Sequence, residues 1–130
     1  MIPHVTGLYA APLAVLMVAL SLHVTMLRAK TKISIMDGGN LQLAERIRRH
    51  GNFAENVPMV LLLMVIAELL GAGNLWLHGI GAILLIGRLI HIFGIRHDKG
   101  DAMPRIIGGS ATSLATLIAA GTIFTRVVAG

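Results

Sequence analysis

The chain has 130 residues, of which 55% are hydrophobic and only 13% are charged, and its mean hydropathy is +0.80. This balance excludes an ordinary soluble domain and indicates an integral membrane protein. The net charge of +5 does not indicate nucleic-acid binding, because the basic residues gather between hydrophobic runs and lack interleaved aromatic residues. The sequence contains no cysteine, so a disulfide, a thiol nucleophile and a thiolate metal ligand of its own are excluded.

Four hydrophobic runs predict four membrane-spanning helices. A hydrocarbon core about 30 Å thick requires roughly 20 apolar residues per helix, so the length allows four spans joined by short connections. We predict an all-α membrane protein, a four-helix bundle forming a single domain over residues 1–130. Its spans are expected at about residues 5–27, 45–70, 75–95 and 106–128.

Two turn signals divide the chain between these spans. The sequence Asp37-Gly38-Gly39-Asn40 marks the connection before the second helix, and Gly71-Ala72-Gly73-Asn74 predicts a tight reversal. The second and third helices should therefore form an antiparallel hairpin.

The basic residues outside the spans indicate the orientation in the membrane. Six of them lie in residues 28–49 and three in residues 96–105, whereas the segment before residue 5 and the turn at residues 71–74 have none. By the positive-inside rule, both basic loops face the cytoplasm and both termini face outward.

Small residues recur in the fourth span at Ala111, Ala115 and Ala119. A spacing of four lets a neighbouring helix approach closely. Two interpretations are open: packing within the bundle and a contact between subunits.

Polar residues form two stripes within the second and third helices. At about 100° per residue, Arg48, Asn52 and Glu55 fall within roughly 60° of one another, and Arg88, His91 and Ile95 span a similar arc. Counted from the hairpin turn, the depths of Glu55 and Arg88 differ by only about 3 Å. Because an unpaired charge in hydrocarbon is costly, we predict that Glu55 pairs with Arg88 and that the remaining groups line a cavity open to the cytoplasm.

Each of these polar groups also has a purely structural interpretation. In that interpretation, the ion pair of Glu55 and Arg88 fixes the helix register and has no other role. His91 is then a hydrogen-bonded packing residue, and Pro58 only kinks the helix. Glu68 is expected to snorkel at the outer end of its helix. A metal site is not expected, because His91 and His97 are six residues apart and no His-x-x-x-His or Glu-x-x-His pair occurs.

The predicted cavity suits a small zwitterion with carboxylates, such as glutathione. Its walls offer arginines for anions and Glu55 for an amine, and we include Arg88 among the candidate binding residues. Arg105 begins the fourth helix beside the cytoplasmic mouth, where an arginine favours the thiolate form of a bound thiol.

These residues carry a resemblance to a known family. The motifs that carry it are Arg48-x-x-x-Asn52-x-x-Glu55-x-x-Pro58 and Gly87-Arg88-x-x-His91. They resemble the MAPEG superfamily, the membrane-associated proteins of eicosanoid and glutathione metabolism, and the Asp37-Gly38-Gly39 loop is similar to that of its small bacterial members.

The resemblance implies a homotrimer in the inner membrane, with glutathione as co-substrate bound between subunits near the cytoplasmic side. It implies that Arg48, Asn52, Glu55 and His91 contact glutathione and that Arg105 serves its thiol.

One departure from the family pattern bears on activity. Active branches commonly carry a tyrosine four residues after the position of His91, where this chain has Ile95, and its only tyrosine is Tyr9 in the first span. Two hypotheses follow. The chain is a glutathione transferase or peroxidase that acts on lipophilic electrophiles or peroxides from the bilayer, or it is a non-catalytic membrane protein of the same fold that binds a lipid or another ligand.

Overall fold

Four helices account for most of the protein, whose computed structural model describes residues 2–98 and 102–130. They are α1 (His4–Thr31), α2 (Leu41–Leu69), α3 (Asn74–Gly94) and α4 (Met103–Ala129). All four are long and apolar enough to cross a membrane, which confirms the predicted all-helical, four-span architecture. Part of the predicted basic loop, residues 99–101, lies outside the described residues.

Both predicted turns lie between helices. Before α2, the Asp37 carboxylate accepts from the Gly39 backbone N–H at 3.0 Å, and the Asn40 side chain caps α2 by accepting from the Leu43 N–H at 3.0 Å. After α2, Gly71 adopts a positive φ of 78°, and the Ala72 N–H donates to the Ala67 carbonyl at 3.0 Å. The short second turn sends α3 back alongside α2, as the hairpin prediction requires.

The core lies between the apolar faces of the helices. Its buried members include Leu13 from α1, Phe53 from α2, Leu84 from α3, and both Ala115 and Ala119 from α4. The two alanines are fully buried within one chain, so the small residues of α4 serve packing inside the bundle at these positions. Of the two interpretations of these small residues, packing within the bundle is the one that applies at Ala115 and Ala119.

The prediction for Glu68 is wrong, because its carboxylate is buried inside the bundle. It accepts hydrogen bonds from the Val5 and Thr6 backbone N–H groups, both at 2.8 Å, and from the Thr6 hydroxyl at 2.7 Å. Pro3 at the N-cap of α1 provides no side-chain cap. Glu68 therefore caps α1 from a neighbouring helix and complements the positive end of the α1 dipole.

Candidate functional site

Arg88 is the centre of the polar network inside the bundle, with only 2% of its surface exposed. Its Nη1 donates to Asn52 Oδ1 of α2 at 2.9 Å, and its Nε donates to Thr112 Oγ1 of α4 at 2.7 Å. A longer contact of 3.4 Å joins Nη2 to the Gly108 carbonyl. One guanidinium thus connects three helices, and all three acceptors are neutral.

The predicted ion pair between Glu55 and Arg88 is wrong. Glu55 Oε1 lies 3.5 Å from Arg48 Nη1, and the side chains of Arg48 and Glu55 are 60% and 59% exposed. Matched depth in the hairpin fixes the position along the helix but not the direction around it. Because Glu55 lies about 60° around α2 from Asn52, the Asn52 amide faces Arg88 while the Glu55 carboxylate points away from the bundle.

Arg48 and Glu55 border a cavity below the connection between α1 and α2. The cavity has a volume of about 280 Å³, and Asp37 and Gly51 also line it. A Cβ at Gly51 would lie 3.9 Å from Glu55 Oε1, an ordinary van der Waals distance, so a small side chain would also fit beside this carboxylate. The exposed pair and the half-buried Asn52 are therefore neighbours on α2 that face different surroundings.

His91 is buried against α4, with 5% of its surface exposed. A Cβ at Gly108 would come within 2.5 Å of the His91 Cβ, so only glycine allows this approach. Three arginines, Arg48, Arg88 and Arg105, lie near enough to interact electrostatically with the imidazole. The structure thus brings His91 together with residues from α2, α3 and α4 in a positively charged environment.

Arg105 lies in the first turn of α4, and its side chain is exposed. The Arg105 backbone packs so closely on Gly94 that any Cβ at residue 94 would collide with it. This contact joins the beginning of α4 to the end of α3, which places Arg105 one helical turn before Gly108 and the buried His91.

Ile95 does not continue the stripe of Arg88 and His91, which corrects the predicted arc. α3 ends at Gly94, and Ile95 has an extended backbone with φ −94° and ψ 92°. The Ile95 carbonyl accepts from Arg49 Nε at 3.0 Å and from Nη2 at 2.7 Å. Tyr9 is far from this end of α3, because its hydroxyl donates to the carbonyl of His78, one turn after α3 begins.

The sequence interpretation missed the role of Thr112. Its hydroxyl accepts from Arg88 and donates to the Gly108 carbonyl at 3.0 Å. A threonine one turn after a glycine in an apolar span was the available signal, but a hydroxyl in such a helix commonly bonds only to its own backbone.

A second cluster that the sequence did not predict joins α2 to the segment after α3. One side-chain atom from each of Glu45, His97 and Asp98, a carboxylate oxygen or a ring nitrogen that could bind a metal, lies within 4.8 Å of the other two. Both carboxylates already have cationic partners, because Arg49 pairs with Glu45 and Arg96 pairs with Asp98 at 3.0 Å. The Arg96 guanidinium also holds the pKa of the Asp98 carboxyl below its usual value by hydrogen bonding to it. We interpret the cluster as an ion-pair network.

Comparison with known proteins places this architecture in a family. The model of the MAPEG family matches residues 6–125. The chain is 39% identical over 93 residues to the inner membrane protein YecN of Escherichia coli strain K12, a match that covers 72% of this chain and 71% of that protein. The identity and both shares are the same for YecN of Escherichia coli O6:H1, strain CFT073.

Proposed function

This chain belongs to the MAPEG family, and from that premise we propose that it binds glutathione and uses its thiol against lipophilic electrophiles or peroxides. The observation that carries the proposal is an excess of positive charge at one end of the bundle. Arg48, Arg88 and Arg105 all lie near enough to His91 to interact electrostatically with its imidazole. Arg88 forms no ion pair with a carboxylate in the described part of the chain. Such a site favours an anionic ligand.

Glutathione has the charges that complement this site. Its two carboxylates suit the exposed Arg48 guanidinium and the side-chain NH2 of Asn52, and its ammonium group suits the exposed Glu55 carboxylate. Arg88 is buried, so its proposed role is to position the Asn52 amide by holding Oδ1 at 2.9 Å. The bound tripeptide then supplies the sulfur that a chain without cysteine lacks.

The proposed chemistry begins with loss of the thiol proton. The exposed Arg105 guanidinium stabilises the thiolate electrostatically and lowers the pKa of the bound thiol. In transfer, the sulfur forms a bond to an electrophilic carbon, and the leaving group departs with the electrons of the broken bond. In peroxide reduction, two glutathione molecules are oxidised to a disulfide while the peroxide is reduced to an alcohol and water.

We propose a homotrimer as the functional assembly. Arg48 and Glu55 are about 60% exposed on α2 of a single chain, although α2 is apolar enough to span a membrane. Exposed charges on such a helix are costly in lipid, and a neighbouring copy that covers them would complete a glutathione site between subunits. Light scattering of the detergent-solubilised protein should give the mass of three chains, and a monomeric mass would contradict this proposal.

We also propose that the basic loops face the cytoplasm and that both termini face outward. The connection at residues 32–40 follows Arg28 and Lys30 and precedes the basic first half of α2. The relatives are named as inner membrane proteins, which agrees with four spans in this chain. Reporter fusions at Asp37 should therefore report a cytoplasmic position, and an external position would reverse the orientation.

The non-catalytic alternative has specific support at Ile95. This residue lies beyond the end of α3, it is 8% exposed, and its carbonyl binds Arg49. The only tyrosine is bound to His78 at the other end of α3, so neither residue offers a hydroxyl to the sulfur. A protein of this kind would bind a ligand without accelerating its reaction.

Conjugation of glutathione to 1-chloro-2,4-dinitrobenzene separates the two functions. The purified protein in detergent micelles should increase the rate of product absorbance above that of micelles alone, and Arg105→Ala should reduce the increase. The Arg126→Ala variant is a matched control, because it removes the same charge from the exposed far end of α4. Glutathione binding without conjugation or peroxide reduction would establish the non-catalytic function.

A further inference from the structure

A second cavity lies at the same end of the bundle but on different helix faces. It has a volume of about 490 Å³ and lies between α1, the first half of α2 and the last turn of α3. None of the six candidate glutathione residues lines it. Its wall therefore provides an independent site, which the proposed function does not use.

The acidic groups in this wall are already neutralised. Glu45 pairs with Arg49 through Oε1, and its Oε2 lies 2.6 Å from His97 Nδ1 and accepts from the His97 backbone N–H at 3.1 Å. Asp98 accepts two hydrogen bonds from Arg96, at 3.1 and 3.0 Å. These contacts leave little negative charge available for a cation.

Arg46 is the remaining cation of the wall. Its Nη1 donates to the His23 carbonyl of α1 at 2.8 Å, which holds the side chain across the cavity. Within residues 2–98 and 102–130, Arg46 forms no ion pair with a carboxylate. Its other guanidinium N–H groups are therefore available to an anion, and the histidine side chain lies beside the same space.

The opposite wall of the cavity is apolar. Leu20 of α1 and Ile92 and Phe93 of α3 line it, and Phe93 is 73% exposed. A basic mouth above an apolar wall, at the ends of membrane-spanning helices, is suited to a molecule with an anionic head and hydrocarbon chains. Free phosphate would use only the basic part of this surface.

We propose that this cavity binds the headgroup of an anionic phospholipid. The lipid phosphate lies at Arg46 beside His23, and the first carbons of an acyl chain follow Leu20, Ile92 and Phe93 toward the bilayer. Arg49 and Arg96 pair with the acidic groups of the wall, Glu45 and Asp98. Arg49 also donates to the Ile95 carbonyl, which holds the end of α3 beside the headgroup. The lipid would thus join α1, α2 and α3 at their basic ends.

Native mass spectrometry of the protein released from detergent tests this proposal with phosphatidylglycerol and phosphatidylcholine of the same chain length. The wild-type protein should bind the first phosphatidylglycerol at least about tenfold more tightly than phosphatidylcholine, since a charge-assisted contact is worth roughly this factor. Arg46→Gln should remove most of the difference. Arg46→Lys should retain much of it.

Lys30→Gln is the matched control, because Lys30 is an exposed cation at the same end of the bundle that does not line the cavity. It should bind both lipids as the wild-type protein does. Equal weakening by Lys30→Gln and Arg46→Gln would overturn the site in favour of diffuse attraction. If Arg46→Gln does not fold, the comparison of the two lipids on the wild-type protein still tests the proposal. Equal binding of phosphatidylglycerol and phosphatidylcholine would contradict it. Displacement of the lipid by an equal concentration of inorganic phosphate would show a small-anion site instead.

Discussion

Arg88 of α3 donates to Asn52 Oδ1 of α2 across 2.9 Å, where Arg88 is buried and Asn52 is half-buried among membrane-spanning helices. The bond fixes the Asn52 amide, while Arg48 and Glu55 on the same helix remain 60% and 59% exposed. One helix therefore presents a hydrogen-bonded amide and two exposed charges on adjacent parts of its surface. The proposed glutathione site uses both the amide and the pair of charges.

Asn52→Ala should lower the free energy of unfolding more than Glu55→Ala does. Removing Asn52 leaves the buried Arg88 Nη1 without its acceptor, which costs about 1.5–3 kcal/mol for a bond to a charged group. Removing Glu55 breaks an exposed ion pair of 3.5 Å, a loss of at most about 1 kcal/mol. Unfolding in mixed micelles followed by circular dichroism measures both. A larger loss of stability in Glu55→Ala than in Asn52→Ala would contradict this expectation. It would support the ion pair between Glu55 and Arg88 that the sequence predicted.

Gly108→Ala should disrupt the packing of α3 on α4, whereas Gly109→Ala should not. A Cβ at Gly108 would lie 2.5 Å from the Gly87 carbonyl oxygen, and the nearest atom to a Cβ at Gly109 is His91 Cδ2 at 3.9 Å. The first substitution should cost about 1–3 kcal/mol through overpacking. The second should change stability by less than about 1 kcal/mol, and the higher helix propensity of alanine favours a gain. Similar melting temperatures for the two variants would show that α4 can move away from His91.

Arg105→Ala should affect the thiol of bound glutathione more than its affinity. The Arg105 side chain is exposed at the start of α4, so its loss removes stabilisation of the thiolate and raises the pKa of the bound thiol. Less thiolate should then be present near neutral pH, with affinity within about threefold of wild type. Ultraviolet thiolate absorbance during a pH titration measures the change, with Arg126→Ala as the control. An unchanged titration would remove Arg105 from the proposed chemistry.

The number and order of the helices could be predicted from the sequence because each depends on local signals. Apolar runs of sufficient length defined the four spans, and the glycines and asparagine of the two connections marked the turns. The motif in α2 also placed Arg48, Asn52 and Glu55 on one part of the helix surface. Their partners could not be predicted, because depth along a hairpin does not determine the rotation of each helix.

Residues distant in sequence explain the remaining differences. Glu68 looked like an exposed acid at a helix end, but it caps α1 from more than sixty residues away. Thr112 was not among the candidate residues in the sequence, but it accepts from Arg88 of α3. Such contacts depend on how whole helices pack, and the periodicity of a single helix contains no information about them.

Isothermal titration of the detergent-solubilised protein with glutathione tests the central claim most directly, because it detects the ligand without requiring any reaction. The wild-type protein should release or absorb heat with a saturable isotherm. Arg48→Ala should weaken binding by at least about tenfold, the loss expected for one charge-assisted contact. Lys30→Gln, which removes a charge at the same end of the bundle, should bind as the wild-type protein does. A wild-type titration without saturable heat at two temperatures would contradict the proposal that this chain binds glutathione.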